Sequence, residues 1–193
     1  MKFEVRVVEG AELISAREVE KRVFLQQGYP YYYEIYDAQS VMIGAFVGGQ
    51  CVGAIRLIAQ QPIEPPVLKD CSVWEPGEFQ GLAEKFEEVG TVAVLPEYEH
   101  AGIGMALYLS AYGSALDRGV THWGIVLEPE RVEFFNTNFH FAFVVIGDLG
   151  FKGWDCAPYA MRIEEAERNM YEHDYNLYEL VQSYIPERFR FRF

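Results

Sequence analysis

The sequence predicts an α/β fold, with one central mixed β-sheet, helices on both faces, and a single domain over residues 1–193. Runs of apolar residues typical of strands are interspersed with longer segments whose apolar residues recur at helical spacing. Near the middle of the chain, a buried strand, a glycine turn and a helix that is apolar on two sides follow one another over residues 89–116. These two observations together indicate a sheet covered by helices.

The first half of the chain alternates between strand and helix patterns. Gly48-Gly49-Gln50 separates two strand-like runs and therefore predicts a hairpin turn. The predicted elements are, in order, a strand at 3–8, a helix at 11–26, an irregular aromatic segment at 31–37, strands at 42–47 and 52–59, and a long connection at 60–85.

The central segment predicts a strand that runs directly into a helix through a glycine turn. Val89–Leu95 is an apolar run that Pro96 ends, because proline cannot donate a hydrogen bond to a sheet. Gly102 and Gly104 allow tight backbone geometry at the start of the helix. The first N–H groups of a helix have no partner within it, so the backbone of residues 100–105 is a candidate anion site.

The second half predicts further alternation of strands and helices, with Pro129 in the first turn of one helix. The predicted elements are a strand at 122–127, a helix at 130–138, a strand at 139–147, a turn-rich connection at 148–155, a last sheet strand at 156–163, a helix at 164–184 and an alternating Arg-Phe strand at 188–193.

Composition narrows the function classes. A formal net charge of −13 argues against nucleic acid or an anionic membrane as partner, and no apolar run is long enough to span a membrane. The three cysteines, without a secretory leader, indicate reduced thiols and a cytoplasmic protein. His122 and His140 lack metal-ligand spacing, so no metal site is expected. The oligomeric state stays open, a homodimer included.

The segment from Val94 to Leu107 resembles the GNAT acyltransferase superfamily, in which a strand ends at a proline and a glycine turn opens a helix. The similarity covers roughly residues 15–146. It implies an enzyme that transfers an acyl group from acetyl-CoA or another acyl-CoA to the amine of a small molecule. It also implies that the donor binds to a turn formed by His100, Ala101, Gly102, Ile103, Gly104 and Met105 and to the main chain of Val92, Ala93 and Val94. The family's central strand splays from its neighbour, here expected after Val92.

A finer similarity is to the N-acyl amino acid synthases and acyl-homoserine-lactone synthases. It rests on Arg22-Val23-Phe24, Tyr36-Asp37, Gly53-Ala54-Ile55-Arg56-Leu57 and Glu88. In those enzymes the donor is usually the phosphopantetheine of an acyl carrier protein. The resemblance implies that Asp37, Arg56 and Glu88 bind or activate an amine acceptor.

The turn departs from the family pattern in its charges. Glu99 stands where the superfamily has Arg or Gln, and Glu97 adds a second negative charge. Phe135 stands where many acetyltransferases carry a tyrosine that acts as general acid. These departures leave a third hypothesis open, a GNAT domain that binds a ligand or a protein partner without turnover.

Acyl transfer needs a base for the amine, and Glu88, next to the central strand, is the candidate. Arg56 lies inside an apolar strand, where charges are rarely buried unpaired. It is therefore either the partner of a core carboxylate or a ligand of the acceptor. Aromatic residues could line an acyl or acceptor pocket; they are Tyr31, Tyr32, Tyr33, Phe134, Phe135 and Phe139.

Overall fold

The computed structural model describes residues 1–74, 85–150 and 153–184, so the Arg-Phe strand predicted at 188–193 lies outside the described residues. The strands are β1 (Glu4–Val7), β2 (Ser40–Val47), β3 (Gln50–Ala59), β4 (Phe86–Val94), β5 (His122–Leu127), β6 (Val144–Val145) and β7 (Ala157–Arg162). The helices are α1 (Gly10–Gln26), α2 (Pro66–Lys69), α3 (Ile103–Asp117), α4 (Pro129–Phe139), α5 (Ile163–His173) and α6 (Tyr175–Tyr184), with 3₁₀ helices at Tyr33–Gln39 and Pro96–Tyr98.

The strands form a mixed seven-stranded sheet in the order β1-β2-β3-β4-β5-β7-β6. β1, β2 and β3 are antiparallel neighbours, β4 and β5 run parallel, and β7 pairs antiparallel with β5 and β6. Helices cover both faces, which confirms the predicted fold class. Across the described ranges, none of the helices has the length and apolarity that crossing a membrane requires.

The chain groups into two compact units, each assembled from two segments. The first unit comprises Met1–Ile58 and Val89–Ser114, and the second comprises Ala59–Glu88 and Ala115–Phe193. Each unit therefore contains part of β4, whose first three residues belong to the second unit. That residues 1–193 make a single domain stays a prediction.

The first unit contains the predicted hairpin. Gly48 and Gly49 both have positive φ values, of 56° and 84°, as a type I′ hairpin turn requires at both central positions. Gln50 is the first residue of β3 rather than part of the turn. Almost all of β3 is buried, in agreement with its continuous apolar run.

β4 begins three residues earlier than the apolar run predicts. Glu87 and Glu88 lie inside the strand and are only 1% exposed. Sequence periodicity excluded them because they are charged, but partners in the second unit satisfy both carboxylates. The parallel pairing of β4 with β5 covers Phe86, Glu87 and Glu88, while β4 continues to Val94. The pairing thus ends before Val92, the predicted point of separation.

Two predictions for the second unit were wrong. The strand predicted at 139–147 is reduced to Val144–Val145, because α4 extends to Phe139 and the following His140 and Ala142 have positive φ values. The helix predicted at 164–184 is two helices, α5 and α6. Asp174 separates them, and its Oδ1 accepts a hydrogen bond from the N–H of Leu177, as a helix N-cap does.

The long connection after β3 is tied to the second unit at several points. It contains α2, and Val73 forms a β-bridge with Gly147. The backbone N–H of Trp74 donates to the carbonyl of Ile146 at 2.8 Å, and its indole Nε1 donates to Asp148 at 2.9 Å. The residues before position 75 are therefore held against the end of β6.

Gly147→Ala is expected to lower the free energy of unfolding by about 1–3 kcal/mol, the usual range for overpacking. A Cβ at this position would lie 2.5 Å from the carbonyl oxygen of Ser72 and 2.5 Å from Cγ of Pro158. Urea denaturation measures the effect. Gly104→Ala is the matched control, because a Cβ there meets nothing within 4 Å. Equal stability of the two variants would contradict the close approach of residues 72 and 147.

Candidate active site

The turn before α3 contains left-handed residues and leaves free space beside the first residues of the helix. His100 and Gly102 have φ values of 61° and 80°, in the left-handed region. A Cβ built on Gly102 or on Gly104 meets nothing within 4 Å, so the space beside both residues is open. The helix ladder begins with the N–H of Ala106, which donates to the carbonyl of Gly102 at 3.1 Å. The preceding N–H groups are those that a helix start leaves for an external acceptor.

Close packing of α3 against the sheet fixes the turn in the first unit. Ile103 and Leu107 are buried, and a Cβ on Gly53 of β3 would lie 3.1 Å from Ile103 and 3.3 Å from Leu107. The same Cβ would lie 3.2 Å from the carbonyl oxygen of Ala93. Gly53 therefore permits the close approach of α3, β3 and β4.

The charges at this turn are more balanced than the sequence indicates. Glu97 is solvent-exposed, and one of its carboxylate oxygens lies 3.5 Å from Nη2 of Arg22 on α1. Glu99 and His100 are also exposed. The sequence has no arginine or lysine between Lys85 and Arg118, but the tertiary structure brings Arg22, 75 residues before Glu97, to the turn.

The predicted donor-binding residues of β4 differ in their exposure. Ala93 is buried, whereas Val92 and Val94 are partly exposed on the other face of the strand. The N–H of Leu95 donates to the carbonyl of Val52 in β3 at 2.9 Å, so the end of β4 is held on the β3 side.

Arg56 lies at the centre of a buried charge network in the first unit. Its Nε and Nη2 donate to the two carboxylate oxygens of Glu20 at 2.7 and 2.6 Å, and both side chains are fully buried. Its Nη1 donates to Oδ1 of Asp37 at 2.7 Å. The geometry thus pairs Arg56 with a core carboxylate, and its role in binding the acceptor stays a prediction.

Hydroxyl groups complete the network around Glu20. Tyr31 donates to Oε2 at 2.7 Å, and Thr91 of β4 donates to Oε1. Burial lowers the pKa of Arg56. The hydrogen bonds to Glu20, the charge of Glu20 and the hydrogen bond to Asp37 together raise it by more, so the net shift of the pKa is upward. Burial and the negative charge of Glu20 raise the pKa of Tyr31. The network therefore holds a charged arginine and a neutral tyrosine at neutral pH.

Asp37 is the partly exposed end of this network. About a quarter of its side chain (27%) is exposed, and Oδ2 forms an ion pair with Nη1 of Arg17 at 3.2 Å. Asp37 thus contacts two arginines. Sequence reading missed Glu20, Arg17 and Thr91 as members of the network. The one local signal was Glu20 itself, a charge beside the apolar stripe of Ala16, Val19 and Val23.

Glu88, the candidate base, is 1% exposed in the second unit, and its Oε2 accepts a hydrogen bond from the N–H of Val67 at 2.7 Å. The neighbouring Glu87 pairs with both terminal nitrogens of Arg118, which lies just after α3. The two adjacent carboxylates therefore have different partners, a backbone amide for Glu88 and a guanidinium for Glu87.

Phe135 belongs to a chain of phenylalanine rings at the end of α4 in the second unit. Its ring stacks on Phe141 with centroids 5.9 Å apart, and it contacts Phe134 and Phe139 at 6.0 and 5.9 Å. Phe134 is 55% exposed. The predicted Tyr31–Tyr33 group forms a separate cluster in the first unit, in which Tyr33 packs on Tyr36 and Ile58.

A family model described as the acetyltransferase (GNAT) family matches residues 11–140. Among solved structures, FeeM, an N-acyl amino acid synthase from uncultured soil microbes, is similar at 17% identity and a TM-score of 0.69, over 87% of this chain and 94% of that one. The CoA-dependent acyl-homoserine lactone synthase BjaI is similar at 11% identity and a TM-score of 0.64, over 96% of this chain and 92% of that one. The ribosomal-protein-S18-alanine N-acetyltransferase from Escherichia coli is similar at 14% identity and a TM-score of 0.57, over 84% of this chain and 94% of that one. At these identities the likeness is one of fold. A comparison with curated proteins found no significant match.

Proposed function

The chain belongs to the acetyltransferase (GNAT) family and is an acyltransferase, and from this we propose that it transfers an acyl group from a thioester donor to the amine of a small molecule. The observation that carries the proposal is the open turn at residues 100–105. Its glycines leave space beside the first amides of α3, where a phosphate of the donor would bind. The packing of Ile103 and Leu107 keeps those amides in a fixed direction.

In the proposed complex, the pantetheine arm of the donor pairs with the main chain of Val92, Ala93 and Val94. These residues follow the part of β4 that is paired with β5, which supports their assignment. A backbone N–H near Val94 would stabilise the oxyanion that forms at the thioester carbonyl. The acetyl or longer acyl group is carried by coenzyme A or by phosphopantetheine.

The acidic residues around the turn favour a second candidate, an N-acyl amino acid synthase that uses a long-chain acyl carrier protein. Arg22 offsets Glu97, but Glu99 adds a further negative charge. Coenzyme A carries several phosphate charges, whereas a carrier-protein donor presents a single phosphate and is repelled less. The fold likeness to FeeM agrees with this candidate.

In the proposed reaction, the amine nitrogen attacks the thioester carbonyl carbon, an amide bond forms, and the C–S bond breaks to release the thiolate. Glu88 takes the proton that the amine loses, directly or through water. Asp37, Arg56 and Phe135 stay candidates for acceptor binding. Arg56 is fully buried, whereas the carboxylate of Asp37 is partly exposed. Of these two residues, Asp37 is therefore the one that an acceptor can reach. The net charge of −13 would steer a cationic acceptor towards the protein.

Donor binding and turnover test the proposal together. Calorimetry with acetyl-CoA, dodecanoyl-CoA and dodecanoyl acyl carrier protein is expected to give saturable heat with at least one of them. Mass spectrometry of reactions with a pool of amino acids and amines is then expected to detect an N-acyl product. Binding without any product would favour the binding-only alternative, and no binding to any donor would remove the transferase proposal.

Gly104→Asp is expected to raise the donor Kd about tenfold or more. The new carboxylate can accept hydrogen bonds from the amides of the turn, in place of the donor phosphate, and its charge would repel that phosphate. Thermal stability is expected to stay equal or to rise, because glycine disfavours helices and the space is open. Leu25→Asp adds the same charge at an exposed position of α1 and is the control. Equal donor affinities of the two variants would contradict the phosphate site at this turn.

A further inference from the structure

The backbone N–H of Val67 directs a hydrogen bond to Glu88, and we propose that it is a positioning group for the general base. The inference rests on the proposed function of Glu88. The contact is 2.7 Å from Val67 N to Glu88 Oε2, and it is buried. It joins the strand that carries the base to the long connection after β3, across 21 residues of sequence.

The chain around Val67 fixes the direction of this N–H. Pro65 precedes α2 and Pro66 is its first residue, so neither offers an amide hydrogen, and Val67 supplies the first backbone donor of this helix. The amides of Leu68 and Lys69 donate back to the carbonyl of Pro65, at 3.0 and 2.9 Å. The donor to Glu88 is therefore held by two rigid prolines on one side and a closed helical turn on the other.

The side chain of Val67 anchors the same segment in the core. It is fully buried in a cluster with Phe86, Ile146 and Ala160. Gly124 of β5 keeps this cluster tight, since a Cβ there would lie 2.2 Å from the ring of Phe86 and 3.0 Å from Val67. The position of the amide is thus set by packing within the second unit.

A hydrogen bond from a fixed amide restricts the rotation of a buried carboxylate and so helps to set the orientation of its oxygens towards the amine. Misplacing a reacting group by about 1 Å can cost about a hundredfold in rate. Loss of the Val67 N–H should therefore reduce kcat while the acceptor KM changes little.

The test removes the amide hydrogen in two ways and compares the rates in two backgrounds. Val67→Pro removes the N–H, and replacement of residue 67 by the α-hydroxy acid analogue of valine removes it while keeping the side chain. Both are expected to lower kcat about 10- to 100-fold, with the acceptor KM within about twofold of wild type. In the Glu88→Gln background, neither change is expected to lower kcat further, because the group it positions is gone.

Val67→Ala is the structural control, because it loosens the same buried cluster and keeps the N–H of residue 67, both prolines and the closed turn. Its kcat is expected to stay within about threefold of wild type. A kcat loss for Val67→Pro that is equal in both backgrounds, or no loss at all, would overturn the inference. Inactive wild-type protein, or full activity of Glu88→Gln, would instead overturn the role of Glu88 as base.

Amide hydrogen exchange tests the contact without any activity. The Val67 amide is expected to exchange at least tenfold faster in Glu88→Ala than in wild type, while the Leu68 amide changes less. Equal exchange at Val67 in the two proteins would show that Glu88 does not hold this N–H, and the inference would fail whatever the reaction is.

Discussion

Replacement of Arg56 by methionine is expected to lower the free energy of unfolding by about 3–5 kcal/mol, because it leaves the carboxylate of Glu20 buried without a cation. Both side chains are fully buried, and Arg56 donates two of its hydrogen bonds to Glu20. The hydroxyls of Tyr31 and Thr91 would still contact Glu20, but they do not neutralise its charge. Urea denaturation followed by circular dichroism measures the change.

The double variant Glu20→Met/Arg56→Met separates lost charge pairing from lost packing. Removing both charges is expected to restore most of the lost stability, since replacing a buried ion pair with apolar groups is often neutral. Lys21→Met/Glu34→Met removes an exposed ion pair of 2.8 Å and is expected to change the stability by less than about 1 kcal/mol. If Arg56→Met is as stable as wild type, the buried pairing of Arg56 with Glu20 is wrong.

Replacement of Glu88 by glutamine is expected to lower kcat for acyl transfer by about 10²–10⁴-fold, the usual contribution of a general base. The amide oxygen of glutamine can still accept the N–H of Val67, so the contact that orients the side chain remains. The melting temperature is therefore expected to change by no more than a few degrees. Steady-state kinetics with a saturating donor give kcat, and a thermal scan gives the stability.

Glu87→Gln is the matched control, since Glu87 is the adjacent residue, is equally buried and pairs with Arg118 instead of Val67. Its substitution is expected to lower stability by weakening an ion pair while kcat stays within about threefold of wild type. Equal kcat values for Glu88→Gln and wild type would exclude Glu88 as the base. A large kcat loss for Glu87→Gln, without one for Glu88→Gln, would indicate that Glu87 is the base.

Family membership and fold were accessible from the sequence because their signals are local. Pro96, Gly102, Gly104 and the apolar stripes of α3 identify a strand, a turn and a helix within about twenty residues, and the family match to residues 11–140 confirms that resemblance. The β2–β3 hairpin was predictable for the same reason. Gly48 and Gly49 supply the positive φ values that its turn requires.

Sequence periodicity failed where charges are buried and where a loop interrupts an apolar run. The apolar pattern predicted that Glu87 and Glu88 lie outside β4, although the strand includes both. His140 and Ala142 interrupt the strand predicted at 139–147 with left-handed backbone conformations. Alanine rarely adopts that conformation, and histidine, although enriched in it, adopts it in only a minority of cases, so the break could not be predicted locally.

The sequence by itself determined the family, the mixed sheet, and the turn that opens α3, since each depends on neighbouring residues and their periodicity. Only the tertiary structure decided which carboxylates meet which partners. Glu20 meets Arg56 across 36 residues and Thr91 across 71, and Glu88 meets Val67 across 21. Such pairings depend on how separate segments pack, and burial then makes each partner obligatory, because an unpaired buried charge is strongly unfavourable.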